Sequence, residues 1–178
     1  MNLKYLYEIQ AGLMAHIEKN HPVQEGEDRN EKRLLAFIVE LGECAQEHRG
    51  FKYWSKDQQP RTKAVRVPAM MEEDKEYYNP LLEEYVDGLH FVLELGLAYG
   101  IKQLTISETL QYDTITEQFL QIIKAVLNYR NVQKQIKYSV LIRLYLGLGE
   151  MLGFTQDEIE QAYLAKNEIN HNRQLSNY

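Results

Sequence analysis

The chain has 178 residues, of which 44% are hydrophobic and 26% charged, proportions that are ordinary for a globular protein. This length suits one domain, spanning residues 1–178, with one sizeable core. The formal net charge of −6 argues against a nucleic-acid partner, because no basic excess exists to neutralise phosphates along a duplex. A single cysteine, Cys44, cannot form an internal disulfide, which fits a reducing compartment. Without a signal-peptide core or an apolar run of membrane-spanning length, we expect a cytoplasmic protein with no membrane partner.

Two helices are predicted in the first fifty residues. Apolar residues recur three to four apart over residues 3–18, which is the helical period, and this first helix is expected to end near Asn20. A polar loop follows, in which Asp28 or Asn30 is available to cap a second helix. That helix is predicted to run to about Arg49, with Gly50 as its C-terminal stop.

Residues 51–80 break the helical pattern. They contain three of the four prolines and the only tryptophan, Trp54. A long irregular connection in a small helical domain is more often functional than not, and the alternative interpretation is a surface loop whose Trp54 packs into the core. No segment of the chain alternates strictly over a strand length, so no strand is predicted. Local positive charge comes from Lys52, Lys56, Arg61, Lys63 and Arg66.

Four further helices follow, each with a start or stop signal. The signals are a proline, a glycine, or a capping box, in which a Thr and a Glu three residues later bond each other's backbone amides. The predicted helices run from Pro80 to Tyr99, stopped by Gly100; from Thr114, with Glu117, to about Arg130; from Val132 to Leu152, stopped by Gly153; and from Thr155, with Glu158, into the tail. The predicted fold class is therefore all-α, a single-domain bundle of about six helices.

Two of these helices carry paired carboxylates beside apolar residues. Glu40 and Glu43 lie three residues apart in the second helix, and Glu84 and Asp87 have the same spacing in the third, so each pair points from one side of its helix. Four carboxylates brought together repel one another unless a cation joins them. Hard oxygen ligands without Cys or His suit Mg²⁺ or Mn²⁺. The alternative is that the acids form surface ion pairs with Lys or Arg.

The last predicted helix carries a polar face. Six side chains fall within an arc of about 120° at helical pitch, and the cations and amides among them can donate many hydrogen bonds to anionic oxygens. The alternative is an ordinary solvated outer face. The six residues are Tyr163, Lys166, Asn167, Asn170, Arg173 and Gln174.

These patterns resemble a known family. The two acidic pairs, with the second followed by Gly88, Leu89, His90 and Phe91, resemble the all-α nucleoside triphosphate pyrophosphohydrolases, which include MazG-like enzymes. Three further motifs narrow the resemblance to the dimeric dUTPase family. In one departure from the family motif, Met14 follows Leu13 where the family has Asp or Asn; if that polar side chain holds the base or sugar in the family, this chain must hold it otherwise. The three motifs are Gln10 with Leu13; Lys52-x-Trp54; and Lys166, Asn167, Asn170, Arg173, Gln174 and Tyr178.

The resemblance implies an activity and a set of roles. It implies a homodimeric dUTP diphosphatase that uses Mg²⁺, with Mn²⁺ as an alternative metal, to hydrolyse dUTP to dUMP and pyrophosphate, with dUDP as a further substrate. This reaction keeps uracil out of DNA. Glu43 is the expected activator of the attacking water. The implied metal ligands are Glu40, Glu43, Glu84 and Asp87; the phosphate-binding residues are Lys166, Arg173, Asn170, Asn167 and Lys56; and the base- and sugar-binding residues are Gln10, Trp54, Lys52, His90 and Gln174.

Several alternatives stay open at this point. His90 is either a ligand-binding residue or a buried histidine with satisfied hydrogen bonds, and Cys44 is expected to serve in core packing. The segment over residues 51–79 is predicted to become ordered on substrate binding. A related enzyme acting on dCTP, supported by Met14, and a catalytically silent helical binding protein are the alternative functions. Core packing and a subunit interface both fit Tyr85, Val86, Leu89, Val92 and Leu93.

Overall fold

The computed structural model describes residues 1–68, 70–131 and 135–176. The all-α fold is confirmed, because six helices account for most of the described residues. Among these residues, none of the six helices combines the length and the hydrophobicity that a membrane span requires. The predicted start of the fifth helix at Val132 and the terminal Tyr178 lie outside the described residues. The helices are α1 (Leu3–Asn20), α2 (Arg29–His48), α3 (Pro80–Ala98), α4 (Ile115–Asn131), α5 (Gln135–Met151) and α6 (Gln156–Leu175).

Within the described ranges, the helix ends follow the predicted signals with one exception. Asp28 caps α2 through hydrogen bonds from two backbone amides at 3.0 Å, and Thr155 forms a complete capping box with Glu158 at the start of α6. The prediction of Gly50 as the stop of α2 was one residue late. Arg49 itself adopts the left-handed conformation, with φ of 65°, and its guanidinium donates to the Asp57 carbonyl at 2.8 Å. Arg49 thus has a left-handed backbone conformation, which is usually found at glycine, and its side chain makes a contact outside the helix.

A small hairpin interrupts the segment between α2 and α3. Strands β1 (Ala64–Val67) and β2 (Glu76–Tyr78) pair antiparallel, with a bulge at Arg66. The prediction that the chain has no strand was wrong, because strands of four and three residues are too short to show alternation. The alternative prediction that Trp54 packs into the core was also wrong. Its side chain is 66% exposed and packs edge-on against the rings of Phe51 and Tyr53.

Helix α3 lies at the centre of the molecule. It packs against α1, α2, α5 and α6, and its sequence is apolar on nearly every side, as such a position requires. The buried thiol of Cys44 confirms the core-packing prediction, and burial raises its pKa. Five residues whose role the sequence left open are at most 1% exposed within the single chain and therefore belong to the core: Tyr85, Val86, Leu89, Val92 and Leu93.

Close contact between α3 and α5 depends on a glycine. The rings of Tyr85 and Tyr145 stack at 4.9 Å, and each hydroxyl donates to the other residue's backbone carbonyl, at 3.2 and 2.6 Å. A side-chain carbon at Gly88 would overlap the Tyr145 hydroxyl. Since Gly88 directly follows Asp87, this packing fixes the rotation of α3 beside one of the predicted metal ligands.

Candidate functional site

A cleft of about 220 Å³ lies between α1, α3 and α6 and reaches α2. On each of the three main helices, lining residues are spaced three, four or seven positions apart. One face of each helix therefore forms one wall of the cleft. Nine of the lining residues carry a polar side chain able to bind a ligand. The lining consists of Gln10, Leu13 and Ile17 of α1; Glu40 of α2; Asp87, His90, Phe91 and Glu94 of α3; and Lys166, Asn170, Arg173 and Gln174 of α6.

Three predicted metal ligands meet where α2 packs against α3. Glu40, Glu84 and Asp87 each offer a carboxylate oxygen, and these oxygens all lie within 4.8 Å of one another. All three side chains are half-buried. Glu43, one turn after Glu40, is exposed and lies outside this group. The structure therefore brings three of the four acids together and leaves the fourth at the rim.

The acidic group is electrostatically unfavourable by itself. Burial, followed by the charges of Asp87 and Glu43, raises the pKa of Glu40 to about 7, and the same causes together with Glu40 raise the pKa of Glu84 to about 7. Burial also raises the pKa of Asp87, against the opposing hydrogen bond from Lys166. A hard divalent cation would relieve this repulsion, and three half-buried carboxylates are suitable ligands for Mg²⁺.

One cation of the chain already contacts the acids. Lys166 Nζ donates to Asp87 Oδ2 at 2.5 Å and to Glu83 Oε1 at 3.2 Å. Burial alone would lower the pKa of Lys166, but the hydrogen bond and charge of Asp87, with those of Glu83, raise it. Glu83 also accepts from Arg66 of the hairpin at 2.6 Å. Glu83 is thus paired with two cations. It was not among the predicted site residues, and its position next to Glu84 in the sequence is the feature that could have indicated it.

A buried hydrogen-bond cluster lies further along the cleft. Tyr163 donates its hydroxyl hydrogen to Gln10 Oε1 at 2.5 Å, and His90 Nδ1 lies 2.8 Å from the same oxygen. The rings of His90 and Tyr163 stack at 3.9 Å. Burial, with a contribution from Lys166, lowers the pKa of His90 to about 3. His90 Nε2 is buried without a hydrogen-bond partner among the described residues, so the interpretation of His90 as fully satisfied does not hold.

Of the remaining side chains on the polar face of α6, some line the cleft and one is buried outside it. Asn170, Arg173 and Gln174 line the cleft, and Arg173 Nη1 donates to Asn170 Oδ1 at 3.4 Å. Asn167 is only 7% exposed and is not part of the lining. Its Nδ2 has no hydrogen-bond partner in the described part of the chain. The solvated-face alternative is therefore wrong for most of this face.

Three predicted residues of the segment after α2 are not brought to the cleft. Lys52, Trp54 and Lys56 lie in the segment after α2 and are absent from the lining. Lys52 Nζ instead lies 5.8 Å from the centroid of the Phe51 ring. Their binding roles stay predictions. Conversely, Glu94 lines the cleft although it was not among the predicted site residues. Its place seven residues after Asp87 puts it on the same face of α3.

Comparison with known proteins agrees with this geometry. A family model described as dUTPase matches residues 2–68 and 71–178, which is nearly the whole chain. A search of curated proteins found no match. The matched residues include every helix that lines the cleft and all the acids of the metal-ligand group. The chain therefore belongs to the dimeric all-α dUTPase family and is a dUTP diphosphatase.

Proposed function

We propose that the cleft hydrolyses dUTP to dUMP and pyrophosphate with Mg²⁺ held by Glu40, Glu84 and Asp87. The observation that carries the proposal is the convergence of these carboxylates, with oxygens within 4.8 Å, from two helices that pack together. Mg²⁺ in this position would supply positive charge that offsets the negative charge of the triphosphate. Mn²⁺ has the same ligand preference and is the expected substitute.

Two cations of α6 are suited to bind the phosphates. Lys166 is anchored at the acids, and Arg173 lies seven residues further on the same face, within the same cleft. An ammonium group contacts a phosphate oxygen as a point charge, whereas a guanidinium can bind two oxygens at once. Asn170, between them, can add amide hydrogen bonds. Asn167 and Lys56 stay predictions for the phosphate group, since neither lines the cleft.

Glu43 is our proposed activator of the attacking water. It is exposed at the rim of the acidic group, and its charge contributes to the raised pKa of both Glu40 and Glu84. A carboxylate near the reacting phosphate that is not held inside the group can accept a proton from water. Hydrolysis of dUDP by the same residues, and the exclusion of uracil from DNA as the purpose of the reaction, belong to the same proposal.

A nucleotide panel tests this function. Purified protein is mixed in turn with dUTP, dUDP, dTTP, dCTP and UTP, with Mg²⁺, with Mn²⁺ and with a chelator, and phosphate and pyrophosphate release is followed. We expect metal-dependent pyrophosphate release from dUTP that falls at least about a hundredfold in Glu40→Gln and in Glu43→Gln. Glu8→Gln is the matched control, since Glu8 is an exposed acid on α1 outside the cleft lining.

The panel also separates the alternatives. Equal release with and without metal would refute the role of the acids. Turnover of dCTP in preference to dUTP would favour the alternative that Met14 suggested. Unchanged activity in Glu43→Gln, together with loss in Glu40→Gln, would retain the metal site and remove Glu43 as the water activator.

We further propose that the chain forms a homodimer, as the family name implies. Large apolar side chains are exposed on two helices: Leu35 on α2 is 64% exposed, and Leu120 and Leu127 on α4 are 60% and 50% exposed. Such residues are typical of a surface that another chain covers. Light scattering after size exclusion should give twice the mass of one chain, and the mass of one chain would contradict this.

The cytoplasmic location also stays a prediction.

A further inference from the structure

The orientation of the Gln10 amide can be deduced from its neighbours. The 2.5 Å distance between the Tyr163 hydroxyl and the Gln10 side chain is typical of an O–H···O bond and is shorter than N–H···O bonds usually are. The Gln10 atom that faces Tyr163 is therefore its oxygen. An oxygen can only accept, so His90 Nδ1, at 2.8 Å from it, must carry the hydrogen and donate.

The opposite orientation fails on chemical grounds. If the amide nitrogen faced Tyr163, the phenol would have to accept, and its own hydrogen would be buried without an acceptor. Tyr163 is 0% exposed and Gln10 only 1%, so water cannot substitute freely. Tyr163 and His90 both bond to the Gln10 oxygen. Gln10 lines the cleft, so its NH₂ group is left to donate to a ligand there.

We propose that Tyr163 and His90 are positioning residues for base selection, because by holding the Gln10 oxygen they direct its NH₂ group to the 4-carbonyl oxygen of uracil. This inference rests on the proposed function, in which dUTP occupies the cleft. Cytosine carries an amino group at the same position, so two donors would face each other and a buried donor would be left unpaired.

Tyr163→Phe removes the phenolic donor and retains the ring. The Gln10 amide can then turn over, so we expect the ratio of kcat/KM for dUTP to that for dCTP to fall about tenfold, mainly through KM, as the loss of one oriented hydrogen bond predicts. The matched control is Tyr129→Phe. Tyr129 is a buried tyrosine outside the cleft lining whose hydroxyl donates to the Leu95 carbonyl at 3.0 Å. In the control, we expect an unchanged ratio.

A second variant keeps the inference testable if Tyr163→Phe does not fold. Gln10→Glu retains an oxygen for Tyr163 and His90 but replaces the NH₂ group with a second oxygen. That oxygen can accept from the amino group of cytosine and repels the carbonyl of uracil. We therefore expect the dUTP to dCTP ratio to fall at least about a hundredfold, with dCTP turnover retained or increased.

The outcomes distinguish this inference from the proposed function. A wild-type protein that shows no preference for dUTP over dCTP would refute both. A wild-type preference that persists in Tyr163→Phe and in Gln10→Glu would overturn only the positioning role. An equal fall in Tyr163→Phe and Tyr129→Phe would also overturn it, because general loosening of the core would then explain the change. A fall confined to the two variants of the cluster, with thermal melting intact, supports it.

Discussion

Glu40 and Glu84 titrate well above the ordinary range of a glutamate, and this makes stability depend on pH. In the folded protein both pKa values are raised to about 7, whereas the ordinary value is 4.5. The folded state therefore binds these protons more tightly than the unfolded chain. Their contribution to stability is fully present below the unfolded pKa and is lost as the pH rises through 7.

We predict that, in chelator, the melting temperature of the wild-type protein falls between about pH 5 and pH 8. The double variant Glu40→Gln, Glu84→Gln should show a smaller fall, because neither glutamine ionises. Thermal melting by circular dichroism across this range measures both. Added Mg²⁺ should raise the melting temperature of the wild type most at the upper end, where the carboxylates are charged. Identical pH profiles for the two proteins would contradict the raised pKa values of Glu40 and Glu84.

We predict that Lys166 contacts the acids when no substrate is bound and binds a phosphate of the substrate when it is present. Lys166→Met removes the cation that contacts Asp87 and Glu83. On the proposed function, it also removes a charge-assisted hydrogen bond to phosphate. We expect KM for dUTP to rise about 10- to 100-fold, from about 1.5–3 kcal/mol of lost interaction. Lys124→Met, at an exposed position of α4, is the control. Steady-state kinetics in which both variants match the wild type would remove Lys166 from the phosphate site.

At the scale of helices, the position of Asp87 depends on the contact between α3 and α5. We predict that Gly88→Ala lowers the free energy of unfolding by about 1–3 kcal/mol, because the added methyl group meets the Tyr145 hydroxyl in a closed core. Gly12→Ala is the control, since a side-chain carbon there has nothing within 4 Å and alanine favours a helix. Chemical denaturation should separate the two. Equal stability of both variants would mean that Tyr145 can move aside.

Local features of this chain could be predicted from its sequence, and contacts between distant residues could not. The Thr155 capping box and the spacing of Glu84 and Asp87 lie within a single helix, so pattern alone identified them. The contact of Lys166 with Asp87 joins residues far apart in sequence and depends on how α3 packs against α6. The same holds for Tyr163 and Gln10, of which only Gln10 was predicted to bind the substrate, from the family resemblance. The left-handed Arg49 also depends on a contact outside its helix.

At the scale of the whole molecule, the segment over residues 51–79 is predicted to change on substrate binding. Its predicted ligand-binding residues, including Trp54, do not line the cleft. We expect trypsin to cut at Lys56 and Arg61, both exposed, and to cut there more slowly when Mg²⁺ and a non-hydrolysable dUTP analogue are present. Cutting at Lys102, an exposed lysine between α3 and α4, serves as the control and should not change. Equal cutting at all sites with and without ligand would count against closure of this segment.

The location of the bound metal ion would decide whether the three carboxylates form the proposed site. A crystal of the protein grown with Mn²⁺ and a non-hydrolysable dUTP analogue should give an anomalous scattering peak among the carboxylate oxygens of Glu40, Glu84 and Asp87. The analogue's phosphates should lie towards Lys166 and Arg173, and its base should lie against Gln10. A peak at another place, with no metal among these three carboxylates, would contradict the proposed metal site and the mechanism built on it.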